Sequence, residues 1–409
     1  MRKRPTRPRE ARGRDNSDAR APATFEVTIE RILPGGLGLG HADGRTVLVA
    51  LAAPGDRLRV RAERVRGTTI FASIVELLDS GPTRVEPPCP YFGRCGGCDF
   101  QQLSYEAQLG AKVEIIRDCL RRIARVEPPA EIPITPSPEV WRYRSRARWQ
   151  YDPEHRRLGY YERGTHRVCD VVECPVAASP VQERLGALRR EMNEGQLPGH
   201  FSEFEAVAGD TDVSLHPAVH EGDEREQSRT VAGELYAFDA SCFFQINHTL
   251  LDALVREGIG EAAGDNALDL YCGVGLFTLP LARRFASVAG VEGNPAAAAY
   301  ARRNLSAAGL SNASVETSGV AEWFLRHSAA SPAFDFVLLD PPRTGAEPET
   351  VEGILELNPR HISYVSCDPA TLARDLRLLL AGGYTLTSLR ALDLFPQTHH
   401  VETVVHLKR

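Results

Sequence analysis

The sequence predicts an α/β protein of three parts: a small N-terminal β-barrel, a central β-rich region holding a group of cysteines, and a C-terminal parallel sheet covered by helices. Three observations lead there. Short β-rich runs alternate with turn signals from Thr24 to Leu78, cysteines cluster just beyond them, and from Leu250 onward helical and strand-like runs alternate. Strand and helix in regular alternation build a parallel sheet with helices on its faces. At 409 residues the chain has room for several units, each with its own core.

The first element, residues 1–23, stands apart electrostatically. The chain carries a net charge of −6, yet residues 1–20 hold eight Lys/Arg against three Asp/Glu. Their Pro, Arg and Gly content cannot build a core, so a disordered basic arm is expected, either touching phosphate or simply solvated. The arm lacks the apolar segment of a secretory signal, and no apolar run approaches the ~20 residues of a membrane span. A protein of the cytoplasm is expected, with its nine cysteines outside disulfides. With 43% apolar and 25% charged residues, the composition is that of an ordinary globular chain.

In 24–80 the runs FEVTIERIL, PGGLGLG, RTVLVAL, RLRVRAERV and TTIFASIVEL give five strands. That number in so short a span predicts a closed or nearly closed barrel of the oligonucleotide-binding (OB) type.

The central region, 81–242, opens with CPYFGRCGGCDFQQ, where Cys89, Cys95 and Cys98 are spaced so that the CGGC turn can direct two sulfurs at one metal centre. A fourth ligand is required, and Cys169 and Cys174 are both near enough. Spacing leaves zinc and an iron–sulfur cluster equally open, because both take four thiolates. A helix is expected from Ser104 to about Arg125, with Leu109, Val113, Ile116, Leu120 and Ile123 on one face, Cys119 in the packing, and the last domain as its partner. In WRYRSRARW, Arg142, Arg144, Arg146 and Arg148 recur at period two and Trp141, Tyr143 and Trp149 oppose them. Such a face attracts phosphate, and His155, Arg156 and Arg157 extend it; the alternative is a solvated edge strand whose charges block aggregation.

In 243–409 the run ALDLYCGVGLFTLPLA joins an apolar strand to a helix through a glycine-rich turn. Gly273 and Gly275 allow a ligand to approach the backbone closely, and Glu292, near the end of the next strand, can accept from both hydroxyls of a ribose. A nicotinamide dehydrogenase would carry a third glycine where Thr278 stands; Asp269, two residues before the strand end, fits a methyltransferase better. Two more strand tips carry polar groups, Asp340 in FVLLDPPRTG and Cys367 in ISYVSCDPATLARDL. They should face one cleft outside the carboxyl ends of the sheet. A thiol at a helix N-terminus can have its pKa lowered from ~8.5, which makes Cys367 a candidate nucleophile; the competing reading is a small buried hydrophobe.

Taken in order, the TRAM-like barrel, the CGGC stretch, LDLYCGVGLFTLPLA, LDPPRTG, VSCDPATLARDL and FPQTHHVETVVHL resemble the RNA uracil-5 methyltransferases over roughly residues 24–409. The resemblance implies a class I, Rossmann-like methyltransferase domain behind a TRAM barrel and a β-rich iron–sulfur domain. It implies transfer of a methyl group from S-adenosylmethionine to carbon 5 of a uridine in ribosomal RNA, which this layout resembles more, or in transfer RNA, by a monomer. Cys367 matches the family's nucleophile and Glu402 its base. Gln245, Tyr271, Glu292 and Asp340 match cofactor-binding positions, alongside Gly273 and Gly275, while Cys174 matches the fourth ligand of a [4Fe-4S] cluster with Cys89, Cys95 and Cys98. Two residues depart from the pattern: Leu276 replaces a common Asn, and Asp368 puts a carboxylate next to the thiol, which would raise its pKa unless Arg343 or the helix dipole offsets it. Two alternatives are weighed. A non-catalytic RNA-binding iron–sulfur protein on the same scaffold would not need the Cys367 and Glu402 motifs, and a DNA cytosine-5 methyltransferase would carry a Pro-Cys motif that is absent.

Overall fold

The computed structural model describes residues 24–327 and 333–409, so the expected basic arm at 1–23 lies outside the described residues. Strands β1 (Phe25–Ile32), β2 (Leu37–Ala42), β3 (Arg45–Ala50), β4 (Arg57–Arg66) and β5 (Thr69–Asp79) close into a barrel of order β1-β2-β3-β5-β4. Alternate residues fill it: Val27, Ile29, Val47, Val49, Leu58 and Val60 are buried while their neighbours are not. Closure needs a glycine at Gly40, because a Cβ there would lie 2.4 Å from the Thr28 carbonyl oxygen.

Helix α1 (Tyr105–Cys119) starts at Ser104, whose side chain accepts from the Ala107 N–H, and ends in a π turn over Leu120–Ala124. Its buried face differs from the expected one. Ile116 and Leu120 are buried, but Leu109, Val113 and Ile123 are only partly so, and Gln108, Lys112, Ile115 and Cys119 take the inner positions. The neighbour on that side is the loop 393–397, whose Asp393 carboxylate and Phe395 carbonyl accept from Lys112 and whose Gln397 pairs with Gln108.

Strand β6 (Ile134–Thr135) leaves this region to pair at the far edge of the C-terminal sheet. The central sheet, order β11-β10-β7-β8-β9, is formed by β7 (Arg146–Asp152), β8 (Arg157–Tyr161), β9 (Val168–Asp170), β10 (Glu203–Ala208) and β11 (Val213–His216). Helix α2 (Ser179–Glu194) covers it, burying Val181, Leu185, Leu188 and Met192 against Trp149, Leu158 and Phe204. The hairpin β12 (Gln227–Val231) and β13 (Glu234–Phe238) belongs to the C-terminal core, where Phe238 stacks on Phe244 with centroids 4.2 Å apart.

The arginine strip is corrected by this sheet. Arg146 and Arg148 both pair with Glu205 on β10, and Arg146 also donates to the Cys242 carbonyl. Arg144 turns inward to line a cavity among the cysteines, and Arg156 donates to the Met192 carbonyl. His155 pairs with Asp152. Period two assigned the residues a side; it did not reveal the carboxylate on the neighbouring strand that covers it.

The last part is a sheet of order β16-β15-β14-β17-β18-β20-β19-β6. Strands β14 (Gly264–Leu270), β15 (Phe285–Glu292), β16 (Ala313–Thr317), β17 (Phe336–Leu339) and β18 (His361–Ser366) run parallel, and β20 (Glu402–Lys408) inserts antiparallel between β18 and β19 (Thr385–Leu392). Helices α3 (Leu251–Ile259), α4 (Thr278–Ala282), α5 (Pro295–Ala307), α6 (Val320–His327), α7 (Pro348–Leu357) and α8 (Pro369–Ala381) cover its faces, and α1 with its π turn packs on α8. No helix among the described residues is long and apolar enough to cross a membrane.

Candidate active site and cysteine cavity

The carboxyl ends of β14, β15, β17 and β18 form one rim, as a parallel sheet dictates. The β14 strand ends at Leu270, and the turn that follows takes positive φ at Tyr271 (62°), Gly273 (56°) and Gly275 (94°). Glycine removes the steric cost of that conformation at two of the three. Glu292, at the end of β15, accepts from the Gly273 N–H at 2.8 Å and from the Asn294 N–H at 2.6 Å, so it ties the first strand's turn to the second strand's end. The Tyr271 hydroxyl is bonded to Glu347 and lies 3.3 Å from Thr350. Leu276 is buried in the core, and its carbonyl accepts from the Tyr236 hydroxyl at 3.0 Å.

Pairing register brings the two candidate catalytic residues together. In the antiparallel ladder of β18 and β20, Ser366 lies opposite Thr403, so the next residue on one strand and the preceding one on the other, Cys367 and Glu402, fall across from each other. Asp340 leaves the neighbouring β17, and Gln245 donates to its Oδ2 at 3.3 Å.

Acids converge on this rim, and burial suppresses the ionisation of Asp269, Asp340 and Glu402. Burial pushes Asp269 up to about 8, with Asp340 and Glu292 adding repulsion, although Thr278 donates to it at 2.5 Å. Burial raises Asp340 to about 7, and burial with the Asp340 charge holds Glu402 well above the ordinary carboxylate range. Asp269 Oδ1 and Glu402 Oε1 are buried with no hydrogen-bond partner among the described residues. Unpartnered buried carboxylate oxygens around one cleft call for a cationic ligand or a bound proton. S-adenosylmethionine, which carries a sulfonium and an ammonium, fits that demand.

The Cys367 thiol departs from expectation. Burial pushes it up to about 12, Glu402 and Asp340 push the same way, and Arg343 alone opposes them. The position before α8 does not dominate. Asp368 is not the source of the rise: its carboxylate caps α8, accepting from the Ala370 and Thr371 N–H groups at 2.9 and 3.0 Å.

A polar scaffold that sequence reasoning missed holds the loop leading into Glu402. Lys112 donates to Asp393 and, at 3.0 Å, to the Phe395 carbonyl; Gln108 exchanges hydrogen bonds with Gln397. Asp99 bonds the ring and the N–H of His399, and the Phe100 N–H donates to the Gln397 carbonyl at 3.0 Å. The barrel reaches the same loop, since a Cβ on Gly36 would lie 3.0 Å from His399 Cβ. His400 is half-buried, and its pKa is lowered to about 3, first by desolvation and then by His399 and Arg343.

Cys89, Cys95, Cys98 and Cys174 line a single small cavity with Arg144, Tyr160 and Gln101. Cys169 does not line it; it is buried in β9 and accepts from Arg94 Nε at 3.3 Å. Burial raises the Cys95 thiol to about 11 and the Cys98 thiol to about 12. Among the described residues no group of three or more His, Cys, Asp or Glu is placed to hold a metal ion.

Comparison with known proteins follows the same division. Residues 221–409 match the tRNA (Uracil-5-)-methyltransferase family model, and residues 23–75 match the TRAM domain. The chain is 32% identical to an uncharacterised RNA methyltransferase of Thermosynechococcus vestitus, over 94% of this chain and 98% of that one. It is 32% identical to the 23S rRNA (uracil(1939)-C(5))-methyltransferase RlmD of Pectobacterium atrosepticum, over 92% of each. Among solved structures it resembles the Pyrococcus abyssi tRNA (uracil-54, C5)-methyltransferase in complex with S-adenosyl-L-homocysteine, with a TM-score of 0.72 and 28% identity, covering 93% of this chain and all of that one.

Proposed function

Because the chain belongs to the RNA uracil-5 methyltransferase family and is an S-adenosylmethionine-dependent enzyme of that activity, we propose that it methylates a uridine of 23S ribosomal RNA through a covalent Cys367 adduct. The register that sets Cys367 across from Glu402 at the rim beside Asp340 is the observation that carries the mechanism. Support for the ribosomal target is the near full-length match to an enzyme named for 23S rRNA.

Cys367, as thiolate, adds to carbon 6 of the uracil, and the electrons of the C5–C6 double bond move toward the C4 carbonyl as an enolate. S-adenosylmethionine supplies the electrophilic methyl group that carbon 5 takes. Glu402 then removes the carbon-5 proton, and the electrons left behind re-form the double bond as the C6–S bond breaks. Burial suits Glu402 to this role, since a carboxylate with a raised pKa is a stronger base. Cys367 needs the reverse, so its ionisation depends on Arg343 and on neutral or partnered acids around it.

The cofactor is held by Gly273 and Gly275, which let it approach the backbone, by Glu292 at its ribose, and by Gln245, Tyr271 and Asp340 around the rest. The cavity thiols Cys89, Cys95, Cys98 and Cys174 hold a [4Fe-4S] cluster. Zinc would draw four sulfurs to about 2.3 Å from one point, whereas a cluster takes one thiolate at each of four irons and spreads them around a larger body. The gathering of the four thiols around one cavity is the observation that supports such a group there. It is structural, acting as a monomer's internal staple beside the central sheet, between the barrel and the methyltransferase domain.

Mapping 5-methyluridine in ribosomal and transfer RNA with and without the gene tests the reading. Loss of the mark at one 23S position is expected; loss only from transfer RNA overturns the target, and no loss anywhere overturns the function.

A further inference from the structure

Beside the cysteine cavity, and separate from the catalytic rim, lies an open pocket of about 410 Å³ lined by Trp141, Arg142, Glu173, Gln182 and Glu183, with Cys174 at its inner edge. Arg142, Glu173 and Glu183 are exposed, and among the described residues neither the indole nor any of these three charged side chains has a hydrogen-bond or ion-pair partner. Gln182, by contrast, is fixed: it accepts from the Cys174 N–H at 2.8 Å and donates to the Val172 carbonyl at 2.9 Å. Arg142 adopts a φ of 57° and its N–H is held by the Pro175 carbonyl at 3.0 Å. The backbone is thus fixed in an uncommon conformation that presents two unengaged side chains.

The pocket is tied to the catalytic loop on both sides of Trp141. Val140 accepts from Gln397 at 3.3 Å, and the fully buried Tyr143 donates to the Pro396 carbonyl at 2.9 Å. The loop they grip runs on to Glu402.

We propose that this pocket receives an unpaired nucleobase of the substrate RNA, one bearing an exocyclic amino group, near the methylated uridine on the same strand. This rests on the RNA-methyltransferase reading above. The Trp141 ring supplies a face on which a base stacks, and the Arg142 guanidinium adds a planar donor beside it. Glu173 and Glu183 accept from an amino group and repel a bare phosphate, which selects a base over the backbone as the occupant. A base seated here holds the strand against the loop that delivers Glu402.

The experiment uses the full-length protein and RNA oligonucleotides spanning the uridine found by mapping, each with one abasic position on either side of it. For the wild type, one abasic position should weaken binding by about tenfold. With Trp141→Ala that penalty should vanish because the stacking face is already gone, while Trp141→Phe should keep it and cofactor affinity should stay unchanged. Should Trp141→Ala fail to fold, Glu183→Gln at the exposed rim is read against oligonucleotides in which the amino group of the sensitive base is removed, and the discrimination should be lost. Penalties equal in wild type and variant overturn the pocket while leaving methylation intact. A wild type that methylates none of the RNAs overturns the functional reading and the pocket with it.

Discussion

Lys112 and Asp393 form an ion pair in which both side chains are fully buried, joining the middle of α1 to the start of the loop that carries Glu402. Burial alone lowers the Lys112 pKa, and Asp393 opposes that shift. Removing one partner of such a pair leaves a charge uncompensated, so Lys112→Met should lower unfolding stability by about 3–5 kcal/mol in urea titration. Lys112→Met with Asp393→Leu should recover most of the loss. A single variant as stable as the wild type would show that the pair contributes nothing.

The raised acids set a pH dependence whose sign follows from linkage. Burial pushes Asp269 up to about 8 and Asp340 up to about 7 in the folded protein, from an ordinary value near 3.8. The folded state therefore holds these protons where the unfolded state has released them. Stability of the free protein is full below the unfolded pKa and is lost as pH rises from about 4 to about 8. A cationic ligand favours the ionised acids, so S-adenosylmethionine should bind more tightly at pH 8 than at pH 6, with proton release measured by calorimetry. Asp340→Asn should flatten both trends; an affinity that falls between pH 6 and 8 would contradict the acid-rim account.

Cys367 and Glu402 act at different points of the proposed cycle, so their loss should stall different species. Cys367→Ala should form neither adduct nor product. Glu402→Gln should add and methylate but fail to lose the carbon-5 proton, leaving a protein–RNA adduct that survives denaturing electrophoresis. Turnover of Glu402→Gln at the wild-type rate would assign the base elsewhere, and methylation by Cys367→Ala would end the covalent mechanism.

Protein purified without oxygen should be brown, with iron and sulfide near four per chain, and Cys95→Ser should lose the colour. Colourless protein with one zinc per chain would replace the cluster with a single ion.

What the sequence made legible was local chemistry. The turn at Gly273 and Gly275, the acid at Glu292, and the strand tips at Asp340 and Cys367 each follow from a few consecutive residues, because strand, turn and helix are decided over that range. Cys89, Cys95, Cys98 and Cys174 line one cavity, and the first three lie in one turn-rich stretch of sequence. The partners of Lys112 and Gln108 were invisible, being 281 and 289 residues away. The Arg146 and Arg148 face was misread because Glu205 joins it only through the sheet, 59 and 57 residues later. The Cys367 pKa was misread because a helix N-terminus is a local signal, whereas burial and the charges of Glu402 and Asp340 belong to the assembled cleft.

The grip of Asp99 and Phe100 on His399 and Gln397 spans about 300 residues. Bonds across such a separation close only after the intervening chain has emerged and collapsed. A chain released only as far as the first strands of the sheet holds Asp99 and Phe100 but neither the loop they grip nor Glu402. Proton removal and release of the product by the proposed cycle therefore wait on the last strand made, β20, whose place lies between β18 and β19.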